Sequence, residues 1–224
     1  MIKRTPRKRG ELSRDSILAA ALRLIDAHGL DALNMRELGA SLGASTMSVY
    51  RYYSNKSELL EAVVDHVVEG FALPAMTGDW QEQARGISLG VRGIMLVHPE
   101  LADLLGREMR RSPVSLRANT AIVERLRASG VPLPMLPDTY WALLSYTTGY
   151  ALLEARSLSH KRARPRTADE RVGKVRAMLE GIEDISAEAV QEVAVVLARP
   201  LDEAQYLFGL DCLIRGLQEQ FSAG

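Results

Sequence analysis

Residues 34–53 read NMRELGASLGASTMSVYRYY, and this stretch predicts two short helices joined by a tight turn. Asn34, followed three residues later by a glutamate, is typical of a helix start, and Ser45 is suited to cap the second helix. Gly43 lies between them, where a tight turn favours a positive φ. We therefore expect helices over residues 35–42 and 46–53.

The spacing of small and branched residues shows how these two helices would pack. Two helices that cross steeply need a small residue at their contact, and Gly39 provides it. Gly43 follows four residues later in the turn, and Val49 supplies a branched apolar anchor six residues beyond that. Together these positions predict a helix-turn-helix.

The exposed side of the second helix has the chemistry to read base edges. Arginine can contact guanine with two hydrogen bonds, hydroxyls accept several base edges, and methionine can contact a thymine methyl. We expect Lys56 and the backbone N–H groups at the start of the following helix to bind phosphate, with Arg36 close to the DNA backbone or the groove edge. Tyr53 is expected to be a packing residue. The predicted DNA-binding residues are Arg36, Ser45, Thr46, Met47, Ser48, Tyr50, Arg51, Tyr52 and Lys56.

The zero net charge of the 224 residues hides an asymmetry. Residues 1–56 carry ten Lys/Arg against five Asp/Glu, and the remainder carries eighteen against twenty-three. A basic head on an acidic body suits a protein that binds nucleic acid, although charge can also drift along a surface without function. The basic arm, residues 1–12, would either enter a minor groove or remain a solvated tail.

Helical periodicity continues to the C-terminus, and no stretch alternates with period two, so we predict an all-α fold. The proposed organisation is a basic arm over 1–12, a three-helix DNA-binding head over 13–56, and a helical ligand-binding and dimerisation domain over 57–224. The stretch His160–Arg171 is expected to be a loop. Later helices are predicted over 80–97, 99–110, 113–129, 138–159, 170–182, 186–198 and 201–222.

The chain also resembles a known family. Residues 50–60, YRYYSNKSELL, look like the signature of the tetracycline-repressor (TetR) family, and residues 33–49 extend the resemblance. The C-terminal runs 206–210 and 214–217, with Trp80, resemble the tetracycline-repressor branch. The resemblance implies a ligand-responsive transcriptional regulator, most simply a repressor, that binds a palindromic double-stranded DNA operator as a homodimer.

The body should then carry a dimer interface and an effector cavity. The helices over 138–159 and 201–222 are apolar enough to form a four-helix bundle with their two-fold mates, or simply the protomer core. Three glycines interrupt the helix over 80–97, either because neighbours approach closely or because space is left for a ligand. The residues expected to line an apolar pocket are Met95, Leu101, Leu105, Met109, Trp141 and Tyr150.

A magnesium–tetracycline complex does not fit this sequence. In the resemblance, the polar ligand-binding positions of the tetracycline repressor correspond to Ile87 and Val91, and its metal-binding histidine lies near Leu105. We therefore expect a small-molecule effector more apolar than tetracycline, with no metal and no cofactor.

Other functions have weaker support. Residues 86–90, GISLG, match the GxSxG nucleophile elbow, but that motif needs a strand-to-helix turn and here it falls inside a predicted helix. No histidine has an evident Asp partner, so we predict that the chain is not an enzyme. The single cysteine and the lack of a signal peptide or a membrane span suggest a cytoplasmic protein without a membrane partner. An all-α interaction module that binds anionic partners generally remains the alternative.

Overall fold

The computed structural model describes residues 12–75, 77–108, 112–159 and 167–223. Over these residues the chain forms helices and turns and no β-strand, as the sequence predicts. The helices are α1 Arg14–His28, α2 Met35–Ser41, α3 Thr46–Tyr50, α4 Lys56–Glu69, α5 Trp80–Val97, α6 Ala102–Glu108, α7 Pro113–Ala128, α8 Leu136–Ser159, α9 Ala168–Leu179, α10 Ala187–Leu197 and α11 Glu203–Ala223.

Side-chain caps start the helices of the head. The side chains of Ser13, Asn34, Ser45 and Asn55 each accept a hydrogen bond from a backbone N–H in the first turn that follows. Each cap satisfies a backbone donor that has no partner inside its own helix. Because this interaction is local, these helix starts could be predicted from sequence.

Several boundaries differ from the prediction. Helix α3 ends at Tyr50, three residues early, because the Tyr52 N–H bonds to the Val49 carbonyl and tightens the last turn. The segment after Pro99 begins as a 3₁₀ turn before α6 starts at Ala102. The expected loop to residue 171 ends sooner, because Thr167 and Glu170 form a capping box that starts α9.

Two hydrophobic clusters divide the described interior. The first joins α1–α4 to the near ends of α5, α6 and α8, with Leu38, Val49 and Leu59 fully buried beside Met95 and Ala151. The second lies among α5, α7, α8 and α11. Since the first cluster continues from the head into the body, the head is packed against the body through α4 rather than attached by a bare linker.

A buried ion pair ties three body helices together. Arg92 on α5 donates to both carboxylate oxygens of Glu154 on α8, at 2.8 and 2.7 Å, and both side chains are more than nine-tenths buried. A third bond of 3.1 Å reaches Glu203 at the start of α11, and the guanidinium lies over the Tyr206 ring. Burial opposes the charged form, but the two glutamates outweigh it, so the pKa of Arg92 lies above its ordinary value.

The sequence match to a nucleophile elbow has no catalytic geometry. Residues 86–90 lie in the middle of α5, and Ser88 is buried there. A nucleophile elbow holds its serine exposed on a sharp turn between a strand and a helix. The segment is therefore part of a packed helix.

Candidate DNA-binding surface and body cavities

The turn between α2 and α3 has the geometry that its sequence predicts. Gly43 adopts φ +64°, which glycine accepts without strain. A Cβ on Gly39 would lie 3.0 Å from the Ala44 carbonyl oxygen, which is tighter than most Cβ contacts, so a larger residue would push the turn away from α2. Val49 is fully buried between the helices. The predicted helix-turn-helix is confirmed.

Helix α3 presents one exposed face opposite Val49. Met47, Tyr50 and Arg51 are three and four residues apart, so they share this face. Met47 is 72% exposed and Tyr50 is 43% exposed. This exposed face, which also carries an arginine, is a candidate for contact with another molecule.

Two serines frame the start of this face. The Ser45 hydroxyl accepts from the Ser48 backbone N–H at 3.2 Å, and the two side-chain hydroxyls lie 2.9 Å apart. Thr46, between them in the chain, is partly exposed. Ser45 therefore both caps α3 and remains at the surface with its neighbours.

The two tyrosines after α3 have internal partners. Tyr52 was expected at the edge of the recognition face, but its hydroxyl donates to the Leu12 carbonyl at 2.5 Å, so it also anchors the start of α1. Tyr53 is almost fully buried, and Arg14 lies over its ring. The prediction that Tyr53 is a packing residue is confirmed, and burial raises the pKa of its hydroxyl.

The helices before and after α3 each carry one of the predicted cationic residues. Arg36 is exposed on α2. Lys56 opens α4, partly buried, with its Nζ 3.4 Å from the Leu30 carbonyl oxygen. The basic arm, residues 1–12, lies outside the described residues except for Leu12, and its role stays a prediction.

Two neighbouring cavities lie inside the body. Cavity A, between α4, α5, α6 and α7, is small: the centre of a water-sized sphere can occupy only about 20 Å³ of it. Cavity B, between α5, α7 and α8, is equally small, at about 20 Å³. Val91 and Ile122 line both cavities.

The structure places only some of the predicted pocket residues in a cavity wall. Met95 and Leu105 line cavity A. Leu101 is buried in the cluster shared with the head, and the Tyr150 hydroxyl bonds to the Asp202 backbone, so neither lines cavity A or B. Trp141 lies at the surface, 45% exposed. Met109 lies outside the described residues.

Sequence reasoning missed the other walls of cavity A, above all Phe71 and Ser115. The sequence did carry one sign of the Phe71 contact, the glycine at position 90 inside a helix. In the structure a Cβ on Gly90 would lie 2.8 Å from the Phe71 ring. A Cβ on Gly86 would similarly meet Pro74 at 3.1 Å. These two glycines of α5 therefore allow the segment after α4 to pack closely, which was the first of the two expected explanations.

A polar contact joins the head to the body. His98, directly after α5, lies 2.9 Å from a carboxylate oxygen of Asp26 on α1. The sequence showed no Asp partner for any histidine, because these two residues are 72 positions apart.

No helix among the described residues is long and apolar enough to cross a membrane.

Both the head and the body of the chain match known protein families. Residues 17–63 match the sequence model described as bacterial regulatory proteins, tetR family. Residues 73–221 match the one described as tetracyclin repressor-like, C-terminal domain.

Individual relatives are similar over most of their length. The HTH-type transcriptional repressor DrrR1 of Streptomyces coeruleorubidus is 27% identical over 212 residues, covering 92% of this chain and 77% of the relative. A crystal structure of a possible TetR family transcriptional regulator from Streptomyces coelicolor A3(2) has a TM-score of 0.73 at 26% identity, covering 92% and 99%. ActR from Streptomyces coelicolor, crystallised with actinorhodin, has a TM-score of 0.74 at 25% identity, covering 94% and 99%.

Proposed function

The chain belongs to the tetracycline-repressor (TetR) family of bacterial regulatory proteins, and we propose that it is a repressor that binds a palindromic operator as a homodimer and releases it when a small molecule binds the body. The observation that carries the proposal is the exposed face of α3, on a helix-turn-helix with Gly43 at positive φ in the turn and Gly39 in close contact with it.

On this proposal α3 lies in the major groove. Arg51 contacts a guanine edge, Met47 a thymine methyl, and the hydroxyls of Thr46 and Ser48 contact neighbouring base edges or phosphates. Lys56, Arg36 and the first N–H groups of α4 hold the DNA backbone and set the orientation of the head. Tyr50 contributes its exposed edge, and Tyr52, whose hydroxyl donates to the Leu12 carbonyl, ties the end of α3 to the start of α1.

The homodimer is supported by an exposed stripe on the body. Trp141, Ser145, Gly149 and Leu153 follow one another every four residues on α8 and are all exposed. Phe208, 64% exposed, continues the stripe on α11, which packs beside α8. We propose that these faces pair about a two-fold axis, which would place two heads on two half-sites of a palindrome.

Helix α4 is the proposed link between the effector and DNA. Its 14 residues run for about 21 Å, from the Asn55 cap just after α3 to Val68 in the wall of cavity A. A molecule that enlarges cavity A would move α4 and change the angle of the head. We therefore propose that residues 13–56 form the DNA-binding domain and residues 57–224 the effector-binding and dimerisation domain.

The effector proposed here is not a magnesium–tetracycline complex. By the resemblance, the positions that bind the polar groups of that ligand are occupied here by Ile87 and Val91 on α5. Leu105 lies near the position of the metal-binding histidine. All three are apolar residues that line a cavity. Release then depends on how much more tightly the molecule binds the DNA-incompetent arrangement than the DNA-binding one.

Operator selection from random DNA with the purified chain tests the proposal. We expect a palindrome, and Arg51→Ala should lose about 1–3 kcal/mol of discrimination at particular base pairs. Lys56→Ala should weaken binding to all sequences alike and reduce the salt slope by about one. Arg199→Ala, which removes an exposed arginine from the body, is the charge-matched control.

Fluorescence anisotropy with a labelled duplex measures these affinities, and circular dichroism checks that each variant is folded. An equal loss on every DNA sequence from Arg51→Ala and Lys56→Ala would favour a general anion-binding module instead. A compound that binds the body without changing operator affinity at saturation would contradict the proposed switch.

A further inference from the structure

We propose that Tyr52 positions the basic arm, residues 1–12, and that the arm binds the A·T-rich minor groove beside the major groove that α3 reads. This inference rests on the proposed function, because it extends the contact between the head and its operator. It selects one of the two roles that the sequence left open for the arm.

Most of the positive charge of the first 56 residues lies in the arm. Residues 3–9 contain five Lys/Arg, and Glu11 is the one acidic residue of the arm. Residues 13–56 contain another five Lys/Arg, but four Asp/Glu nearly cancel them. DNA binding depends on cations that neutralise phosphates. The folded head by itself is almost neutral, so the arm is the main source of positive charge for a DNA contact.

The contact between Tyr52 and Leu12 fixes the place where the arm joins the head. The Tyr52 hydroxyl donates to the Leu12 carbonyl oxygen at 2.5 Å, and the Leu12 side chain packs against the hydrophobic cluster of the head. Arg14, two residues further on, lies over the ring of Tyr53. Tyr52 directly follows Arg51, the C-cap of α3. The arm therefore joins the head beside the end of the helix that is proposed to lie in the major groove.

The start of α1 does not need the Tyr52 hydrogen bond. Ser13 and Ser16 form a capping box, in which each side chain accepts from the backbone N–H of the other residue. The Leu12 carbonyl, ahead of the cap, is not one of the groups that a helix start leaves unpaired. Since the helix is already capped, the Tyr52 hydroxyl acts on the position of Leu12 and of the chain before it.

The arm is long enough to reach the next groove. One helical turn of DNA is about 34–36 Å, so a minor groove follows a major groove after roughly 17 Å. An extended chain covers about 3.3–3.6 Å per residue, so Arg7, five residues from Leu12, can reach about 17 Å, and Lys3 can reach about 30 Å. The cations nearest Leu12 would then lie along the intervening phosphates, with Arg7 and Arg4 in the minor groove.

The narrow minor groove of A·T-rich DNA is the partner that this chemistry fits. Its negative potential is enhanced, and it attracts inserted arginine and lysine side chains. A G·C pair adds the guanine amino group, a hydrogen-bond donor, to the minor groove. Arginine and lysine are donors themselves, so this group offers them no acceptor. We therefore expect the arm to favour A·T pairs next to each half-site.

Base substitution beside the half-sites tests the groove assignment. Inosine lacks the amino group of guanine, so an I·C pair presents the minor groove of A·T and the major groove of G·C. G·C flanks should bind the wild-type protein about tenfold more weakly than A·T flanks, the effect typical of one unfavourable base pair, and I·C flanks should restore the affinity. Equal affinity for the three flanks, or an I·C loss as large as the G·C loss, would overturn the inference.

A charge-neutral arm tests whether the arm causes this preference. The variant keeps the full chain and carries Lys3→Gln, Arg4→Gln, Arg7→Gln, Lys8→Gln and Arg9→Gln. The three flanks should bind this variant with equal affinity, and its salt slope should fall by about two to four for each bound head. A flank preference that survives in this variant would contradict the assignment of the arm.

Tyr52→Phe tests the positioning role, because it removes the hydroxyl and keeps the ring. In the wild-type background it should lower the preference for A·T flanks from about tenfold to about threefold, a loss in the range of one neutral hydrogen bond. In the charge-neutral background it should have no further effect. Equal losses in both backgrounds would show that Tyr52 only supports the head. Tyr150→Phe, which removes a hydroxyl bonded to a backbone carbonyl in the body, is the matched control.

Operator selection separates this inference from the proposed function. If random DNA yields a palindrome whose flanks have no effect on affinity, the proposed function stands and the assignment of the arm fails. If no palindrome is selected, but the wild-type protein still distinguishes I·C from G·C and the charge-neutral variant does not, the arm contact stands and the proposed operator-specific repressor fails.

Discussion

Removing one side of the buried ion pair should destabilise the protein more than removing both. Arg92 and Glu154 are 8% and 7% exposed in their side chains, and two bonds of 2.8 and 2.7 Å join them. Breaking a buried pair leaves an uncompensated charge and costs about 3–5 kcal/mol, whereas replacing both partners with apolar residues is often neutral.

The surroundings decide which single variant costs more. After Glu154→Leu, Arg92 still has Glu203 at 3.1 Å and the Tyr206 ring as partners. We therefore expect the free energy of unfolding to fall by about 3 kcal/mol, the lower end of this range. After Arg92→Met, the buried carboxylate of Glu154 loses its paired arginine, so we expect about 5 kcal/mol. The double variant Arg92→Met/Glu154→Leu should be more stable than either single variant.

Urea unfolding measures these differences, and the protein concentration is held fixed because the stability of the proposed homodimer would depend on it. With an m-value of about 3 kcal/mol/M, the single variants should lower the midpoint by about 1–1.7 M. Arg156→Met, which removes an exposed partner of Asp103, is the control and should cost at most about 1 kcal/mol. Additive losses in the double variant would refute the reasoning.

Three further predictions follow from the same structure. Gly39→Val should push the turn away from α2, cost about 1–3 kcal/mol and abolish operator binding in an anisotropy assay, whereas exposed Ala40→Val should not. Phe208→Glu should halve the mass in sedimentation from twice 24.7 kDa, a result that Leu116→Glu on α7 should not give. Burial raises the pKa of Tyr206, so its contribution to stability is fully present below about pH 10 and is lost as pH rises through its folded pKa. Tyr206→Phe should therefore flatten the alkaline loss in thermal melts, and an unchanged slope would contradict the assignment.

The DNA-binding head could be predicted well because its determinants are close together in the chain. Gly39, Gly43 and Val49 fall within eleven residues, and each cap bonds to a backbone group three residues later. Such interactions depend on residue type and spacing, which the sequence states directly. The end of α3 was missed because the tightened turn after Tyr50 leads into Tyr53, which is buried beneath Arg14 from another helix.

The body could be predicted only as a set of helices. The apolar character of α8 indicated burial on more than one face, but it could not tell which neighbour would cover each side. Leu210 and Ile214 on α11 are core residues of the protomer, whereas Phe208, two positions earlier, is exposed. Trp141, expected in a pocket, lies on the exposed stripe instead.

The helix-turn-helix with its caps, and the all-α architecture, follow from the sequence by itself, because both rest on local spacing and helical periodicity. The cavities, the Arg92–Glu154 pair and the contacts of Asp26 with His98 and of Leu12 with Tyr52 were decided only by the tertiary structure. These last three contacts join residues 62, 72 and 40 positions apart. Whether such distant residues meet depends on how helices cross and which faces they bury, and periodicity along one helix carries no information about the position of the next.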